Sequence, residues 1–600
     1  MLKNFLPEQF KEVSLYGNIL RTVQLILSLS PLWTITSVVL MCAETASFFF
    51  ALRSFKQLVN MLTQQSQLAE SGVYEQLILI GLVSVLFITI RSISAYVTDL
   101  NSVHLTRRMD DRIHEKSLSL EYAFFESPQY FDILKRALEE AHSRPVAILN
   151  NLNEIIKNSV IAFGFLYIIV TINWVLLPCI LVMVAPGFLV KAYTSRKYFK
   201  WYRRRTELDR KAGYLRSVIT GDLFAKEIRV FGFGSKIKNM YDALRLTITD
   251  EQLQVKRTAT WLDFIANVIS TSGFVLCIGL IAINITKGVN SMGDIALLLL
   301  SFLQTFNVMQ QLTTNISQLL QNNLYIGSIF ELLDLTPSEN KKGTEKVAFT
   351  PEKALVMNNV HFTYPNTTKE VLSNINVAFQ PGKVTALVGL NGSGKSTLIK
   401  LITGLYPATE GQILYGDTPI QDLEPEAFRN LMSVVFQDFG KYHFTAGENI
   451  HIGDASREYI MAEVEQAAVR SGANLYIDQF ALGYETQMGK LFEDGQEISI
   501  GQWQKLALAR ALYRDAHFII LDEATSAIDS LAENELISLL QKQMGDKGII
   551  LISHRLSVIK HADYIYVLSD GKMVQEGTHH DLVREKGPYY NQFKNDLEPV

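Results

Sequence analysis

The sequence predicts a multidomain membrane protein: an all-α domain of six membrane-crossing helices, followed by an α/β domain built around a phosphate-binding loop. Three observations carry that expectation. Of 600 residues, 48% are hydrophobic and 19% charged, where soluble proteins average about 25% charged. Long apolar runs stop near Ile316, and alternating strand and helix patterns begin near Val347. In that second region a short apolar strand leads through a glycine-rich string into a helix.

The apolar runs come first in the chain. Pro31 to Leu52, Glu75 to Val97, Trp261 to Ile285 and Ile295 to Thr314 each approach the roughly 20 residues that a bilayer requires. Ile155 to Lys191 is nearly all apolar and too long for one ordinary span, and Asn173-Trp174 can turn it into two short ones. Parity supports two. Arg107 to Lys157 and Lys191 to Arg257 are both rich in basic residues and should stay cytoplasmic, so an even number of crossings separates them. Six spans result, with cytoplasmic excursions at about Asp99 to Asn153 and Ala192 to Thr260.

Glu44 interrupts the first span and Arg91 the second. A charge there is costly, so each is expected in a structural pair or near the headgroups, with substrate binding as the alternative. Cys42, Cys179 and Cys277 lie far apart in apolar runs and predict neither a disulfide framework nor a metal motif. A net charge of −4 over the whole chain gives no polyanion signal, so nucleic acid is not an expected partner. The first 30 residues lack the continuous apolar core and cleavage site of a removable signal peptide. Thr336 to Lys353, with two prolines and several lysines, reads as a linker between domains at 1–335 and 354–600.

The chemistry lies in the last domain. Val384 to Val388 is a β-rich run, and Gly389, Leu390, Asn391, Gly392, Ser393, Gly394, Lys395, Ser396 and Thr397 continue from it into a helical pattern. Glycines at this spacing let backbone N–H groups turn around phosphates, while Lys395 reaches the outer phosphates and Ser396 can ligate Mg²⁺. Further on, Phe518 to Leu521 makes a buried strand ending in Asp522 and Glu523. One carboxylate can serve the metal and its neighbour can polarise water.

The segment Ile498 to Leu512 resembles the signature of ATP-binding cassette (ABC) proteins, and the likeness runs over the whole chain, which looks like a half-size ABC exporter working as a dimer. The resemblance implies that ATP and Mg²⁺ are used. It also implies that Tyr364 stacks on adenine, Gln437 senses Mg²⁺ and the membrane domain, Asp522 holds Mg²⁺ through water, and Glu523 orients or deprotonates the attacking water. His554 would contact the γ-phosphate, and Ser526 to Asp529 would form a loop crossing the dimer. Ser499, Gly501 and Gln502 would address the partner's nucleotide. Ile500 stands where the family has glycine, and its branched side chain narrows the backbone choices.

Because Glu523 and His554 are both present, the chain can build a complete hydrolytic half-site, which favours a homodimer over a heterodimer. Phe124 to Tyr130 and Tyr214 to Thr220, at the tips of the two excursions, are implied to dock on the ATPase domain near Gln437. Ala225 to Gly232 and Ser499 to Lys505 look like strings of bacterial lantibiotic exporters, which implies a ribosomally made modified peptide as cargo, peptide-modifying enzymes as partners and a location in the cytoplasmic membrane with the ATPase domain in the cytoplasm. No cysteine precedes the first span, so leader removal would need a separate protease. A lipid or multidrug exporter, or a non-transporting ATPase scaffold, would share the same architecture.

Overall fold

The computed structural model describes residues 15–63, 70–173, 176–286, 292–336, 343–345, 350, 352–365, 367–523 and 545–597. These form two compact units: one holds residues 15–120 and 128–335, the other 121–127 together with the chain from 336 onward.

The first, or membrane, unit is all helical. Its helices are α1 (Leu15–Leu29), α2 (Pro31–Thr63) and α3 (Glu70–Ser119). After the short helix α4 (Tyr122–Phe125), which belongs to the other unit, come α5 (Pro128–Ala141), α6 (Arg144–Asn173), α7 (Leu176–Thr220), α8 (Asp222–Phe231), α9 (Gly234–Thr286) and α10 (Met292–Leu333). Proline opens α2 and α5, where the missing N–H would have no helical acceptor anyway. The turn expected at Asn173-Trp174 falls at the junction of α6 and α7, where residues 174 and 175 lie outside the described residues. Among the described residues, Pro31–Val59, Gly72–Ser119 and Arg144–Val170 are helices long and apolar enough to cross a membrane. On α3, Leu82, Val85 and Ile88 are each at least 60% exposed, which suits a lipid-facing surface.

Close packing brings α2 and α6 together. A Cβ on Gly164 would stand 2.2 Å from the Phe49 ring, so only glycine admits that ring. Phe48, Phe49 and Phe165 then form a tilted and edge-to-face cluster with centroids 5.7–6.0 Å apart. A buried polar pair is matched where Ser30 donates to Asn101 Oδ1 at 2.7 Å, and nearer the surface the Arg21 guanidinium holds the half-exposed Asp334 at 2.6 Å.

The second, or nucleotide, unit contains two sheets. Strands β1 (Leu355–Thr363), β2 (Glu370–Phe379), β4 (Glu410–Tyr415) and β5 (Thr418–Pro419) form an antiparallel sheet in the order β2-β1-β4-β5. The other sheet runs β10-β9-β3-β8-β7-β6, from β3 (Val384–Val388), β6 (Met432–Val435), β7 (Phe518–Asp522), β8 (Gly548–Ile552), β9 (Tyr564–Ser569) and β10 (Lys572–Gly577). Its core is parallel, and β3, β7 and β8 are buried along their whole length, which is why they read as unbroken apolar runs rather than alternating patterns. Tyr415 Oη and the buried His517 Nδ1, 2.9 Å apart, tie the two sheets together, as does the bond from Ala378 N–H to Tyr566 Oη at 3.1 Å.

Part of the expected linker is fastened to this unit. Glu345 bridges to Leu423, its N–H donating to Asp422 O and its carbonyl accepting from Glu424 N–H. The bridge is isolated, outside the named strands, and satisfies one backbone donor and one acceptor of Glu345.

Candidate active site

Strand register explains why distant residues meet. Leu387 on β3 pairs with Ile552 on β8, and Ile552 pairs with Asp522 on β7. The three strands therefore end side by side, and the glycine-rich loop after β3, Glu523 after β7 and His554 after β8 all leave from one sheet edge. Ligands of open α/β sheets bind at such carboxyl ends.

After β3 the chain turns through Gly392 (φ 82°) and Gly394 (φ 111°) into helix α11 (Lys395–Ile402). A Cβ on Gly394 would approach Leu372 Cδ2 to 2.7 Å, so both backbone angle and space demand glycine. Lys395 Nζ donates to the carbonyls of Gly389 at 2.8 Å and Leu390 at 3.1 Å, folding its ammonium over the loop. Burial pushes its pKa down, against the pull of Glu523 and Asp522. The buried Ser393 Oγ has no hydrogen-bond partner, an orphan of the kind an incoming phosphate oxygen satisfies.

Asp522 is 5% exposed, and its carboxyl is pushed up to about 6 by burial and by the charge of Glu523, with Lys395 opposing. Glu523 sits in the left-handed region at φ 49°, a conformation that costs a non-glycine residue about 1–2 kcal/mol. Its N–H donates to Ile552 O at 2.9 Å, which holds the turn. Its two oxygens are addressed separately: Gln437 Nε2 donates to Oε2 at 2.7 Å, and His554 Nε2 stands 3.0 Å from Oε1, at ion-pair distance but not aimed for a good hydrogen bond. Thus Lys395, Gln437, Asp522, Glu523 and His554, all expected from sequence, come together. The strained turn at Glu523 was not foreseen; an apolar strand ending in two carboxylates gives no hint of backbone angle.

Tyr364 comes directly after β1, and its hydroxyl lies 3.0 Å from Thr397 Oγ1 while Lys400 Nζ donates to it at 3.4 Å. Its ring packs edge-on against Phe362 and Tyr406. Ser499 caps helix α12 (Ile500–Tyr513): Oγ accepts from Gln502 N–H at 3.2 Å, and Gln502 Oε1 accepts from Ser499 N–H at 2.8 Å. Such a box satisfies two otherwise unpaired donors. Ile500 is 63% exposed at the first position of that helix. Among the described residues no bond joins Ser499, Gly501 or Gln502 to Lys395, Glu523 or His554. Ser526 to Asp529 lie outside the described residues.

Segment 121–127 is joined to this unit through side chains. Lys400, on α11, donates to Glu126 Oε1 at 2.6 Å, and Tyr406 donates to Oε2 at 2.5 Å. Burial would raise the Glu126 carboxyl, but these donors outweigh it and hold the pKa below the usual range. The Tyr122 ring meets Tyr406 edge-on, and its hydroxyl is pushed up by burial and Glu126, with a smaller share from Asp438 beside Gln437. Tyr130, expected in the same docking segment, is instead buried in the membrane unit, where Tyr214 to Thr220 also lies.

Within the membrane unit, Glu44 is buried and receives Lys157 Nζ at 2.8 Å. The pair lines a cavity of about 580 Å³ with Arg91 and the carboxamides of Asn158, Gln304, Asn307, Gln310, Gln311 and Asn315. Glu44 thus has the structural partner that the sequence suggested, and both Glu44 and Arg91 face a cavity as well.

Comparison with known proteins agrees with this geometry. Residues 372–526 match the family model described as ABC transporter, and residues 33–309 match the ABC transporter transmembrane region. The chain is 29% identical over 515 residues to the subtilin transport ATP-binding protein of Bacillus subtilis, covering 85% of this chain and 83% of that one. It is 28% identical to the nisin transport ATP-binding protein of Lactococcus lactis subsp. lactis, with 89% and 92% covered. It is also 30% identical to the ATP-dependent lipid A-core flippase of Xanthomonas oryzae pv. oryzae, with 84% and 85% covered. In fold it is similar to a bacterial Atm1-family ABC exporter solved with ATP bound, at a TM-score of 0.80 and 21% identity over 94% of this chain and 98% of that one. Both family models match and a relative of 30% identity is covered over most of its length, so the chain belongs to the ABC transporter family as a half-size exporter, a membrane protein whose cytoplasmic-side ATPase domain drives transport.

Proposed function

We propose that this chain exports a ribosomally made modified peptide of the lantibiotic type, working as a homodimer of six-span subunits with domains at 1–335 and 354–600. The observation that carries the peptide reading is the cavity of about 580 Å³, where six carboxamides and the Glu44–Lys157 pair stand among the apolar side chains of Phe48, Phe87, Ile161, Phe165 and Val308, a mixture that suits a chain with both polar backbone and apolar side groups. Carboxamides both donate and accept, as a peptide main chain requires, whereas an acyl chain would leave them unsatisfied. The subtilin and nisin relatives support the same cargo class. A lipid exporter is the second reading, favoured by the 30% identity to the lipid A-core flippase.

In the ATPase, Gly389, Asn391, Gly392, Ser393, Gly394 and Thr397 would wrap the phosphates, and Tyr364 would stack on the base. Lys395 neutralises phosphate charge from a loop already folded around its ammonium. Ser396, Gln437 and Asp522 suit Mg²⁺: their oxygens stand at one sheet edge, and a cation would relieve the buried Asp522 carboxylate. When bound, Mg²⁺ would neutralise charge on the phosphate oxygens. Glu523 orients water and takes its proton, with Gln437 and His554 fixing the carboxylate and His554 steadying the outermost phosphate. Ser499, Gly501 and Gln502 would complete the partner's site.

ATP-dependent uptake into inside-out vesicles tests the whole reading. Uptake of a lantibiotic precursor that disappears with Glu523→Gln is the expected result; lipid-stimulated ATPase with no response to precursor would support the second reading.

A further inference from the structure

The membrane unit holds another cavity, of about 420 Å³, between α5, α7, α9 and α10. Its volume lies in the roughly 300–1,000 Å³ range of ligand sites. Its lining is strongly cationic: Lys135, Arg136, Arg205, Arg210, Arg216 and Arg245 face only three carboxylates. Of those, Asp209 is taken by Arg205 and Glu140 by Arg144 from outside the cavity, which leaves Glu139. Arg136 turns to Glu331 at 3.2 Å, and its buried Nε makes no hydrogen bond. Lys135, Arg216 and Arg245 have no hydrogen-bond or ion-pair partner for their charged ends among the described residues. Lys135, Arg216 and Arg245 are solvent-exposed, so their mutual repulsion is partly screened, and an anion that spans them is attracted by all three at once.

Chain length sets where this cavity lies if the spans are as read. Arg205 and Arg216 come roughly 14 and 25 residues after the apolar run that ends near Lys191, and Arg245 roughly 16 before Trp261. At about 1.5 Å per residue, these are some 20–38 Å of helix. The headgroup layer is only about 5–8 Å deep. A lipid headgroup therefore falls short, and the anion must come from the cytoplasm. The three cations stand on three different helices rather than converging on one nest of N–H groups, the arrangement a compact phosphate prefers. Carboxylates spread along a flexible chain match that spacing better.

We propose that this cavity receives an acidic segment of the peptide cargo before the cargo enters the membrane domain, a proposal that rests on the peptide-export reading above. The test uses the full-length protein in phosphatidylcholine nanodiscs, with fluorescein-labelled hexaglutamate and hexalysine as probes read by anisotropy and inorganic tripolyphosphate as competitor. Hexaglutamate should bind at least about tenfold tighter than hexalysine, and Lys135→Gln/Arg216→Gln/Arg245→Gln should weaken it about tenfold while labelled ATP still binds. If the triple variant does not fold, each single substitution should weaken binding roughly two- to threefold. Equal binding of the two peptides, hexaglutamate binding indifferent to the substitutions, or tighter binding of tripolyphosphate than of hexaglutamate at the same residues would overturn the proposal. Hexaglutamate binding that depends on the three cations upholds the cavity even if precursor uptake fails, so failure of the peptide-export reading is seen separately.

Discussion

In the nucleotide unit, Lys395, Gln437, Asp522, Glu523 and His554 come from separate stretches of chain and meet at one sheet edge because register aligns the strand ends. In the membrane unit, charged groups meet without any such frame: Glu44 finds Lys157 across two packed helices, and six cations line one cavity from several helices. The difference teaches where specificity of chemistry is stored. A parallel sheet fixes the directions of its loops, so a few short motifs suffice. A helix bundle offers no such edge, and its polar positions take their meaning from neighbours far away in sequence.

Four experiments would break or sharpen that contrast. Glu523→Gln should lower ATP turnover on the order of 10³-fold while labelled ATP still binds, as phosphate release and nucleotide titration would record. Next, His554→Ala should cost roughly a hundredfold in kcat; an unchanged rate would mean that its 3.0 Å approach to Glu523 is packing alone. In the membrane unit, Lys157→Met strands the buried Glu44 and should cost about 2 kcal/mol of stability, less than a fully buried pair because Lys157 is partly exposed. Adding Glu44→Gln should restore most of the lost melting temperature. The smallest effect is expected for Glu126→Gln. It should weaken the hold of segment 121–127 by about 1 kcal/mol, and a double-mutant cycle with Lys400→Met in thermal unfolding should show the two effects to be non-additive.

The same contrast decides what the sequence discloses. The phosphate loop is legible because its chemistry requires glycines at fixed spacing, and β7 because a buried parallel strand must be apolar throughout. The pairing of Glu44 with Lys157, 113 residues apart, depends on how α2 and α6 pack, and Gly164 carries that information only once Phe49 is seen against it. Aromatic residues beside Pro128 mark Phe124 to Tyr130 as a segment wanting a partner, and the structure finds that partner for 121–127. That Lys400 and Tyr406 supply it is invisible, since neither belongs to a motif. Glu345, within a linker that composition reads as structureless, forms an isolated bridge to Leu423, a backbone contact 78 residues away that no side-chain pattern marks.

The neighbours of Glu523 set how the motor meets its fuel. With Gln437 donating to one oxygen of Glu523 and His554 at ion-pair distance from the other, the carboxylate has little freedom to turn. A base held in this way gives up little orientational entropy when a water arrives beside it. The aim of the chemistry is thus set in the chain itself, ahead of the substrate.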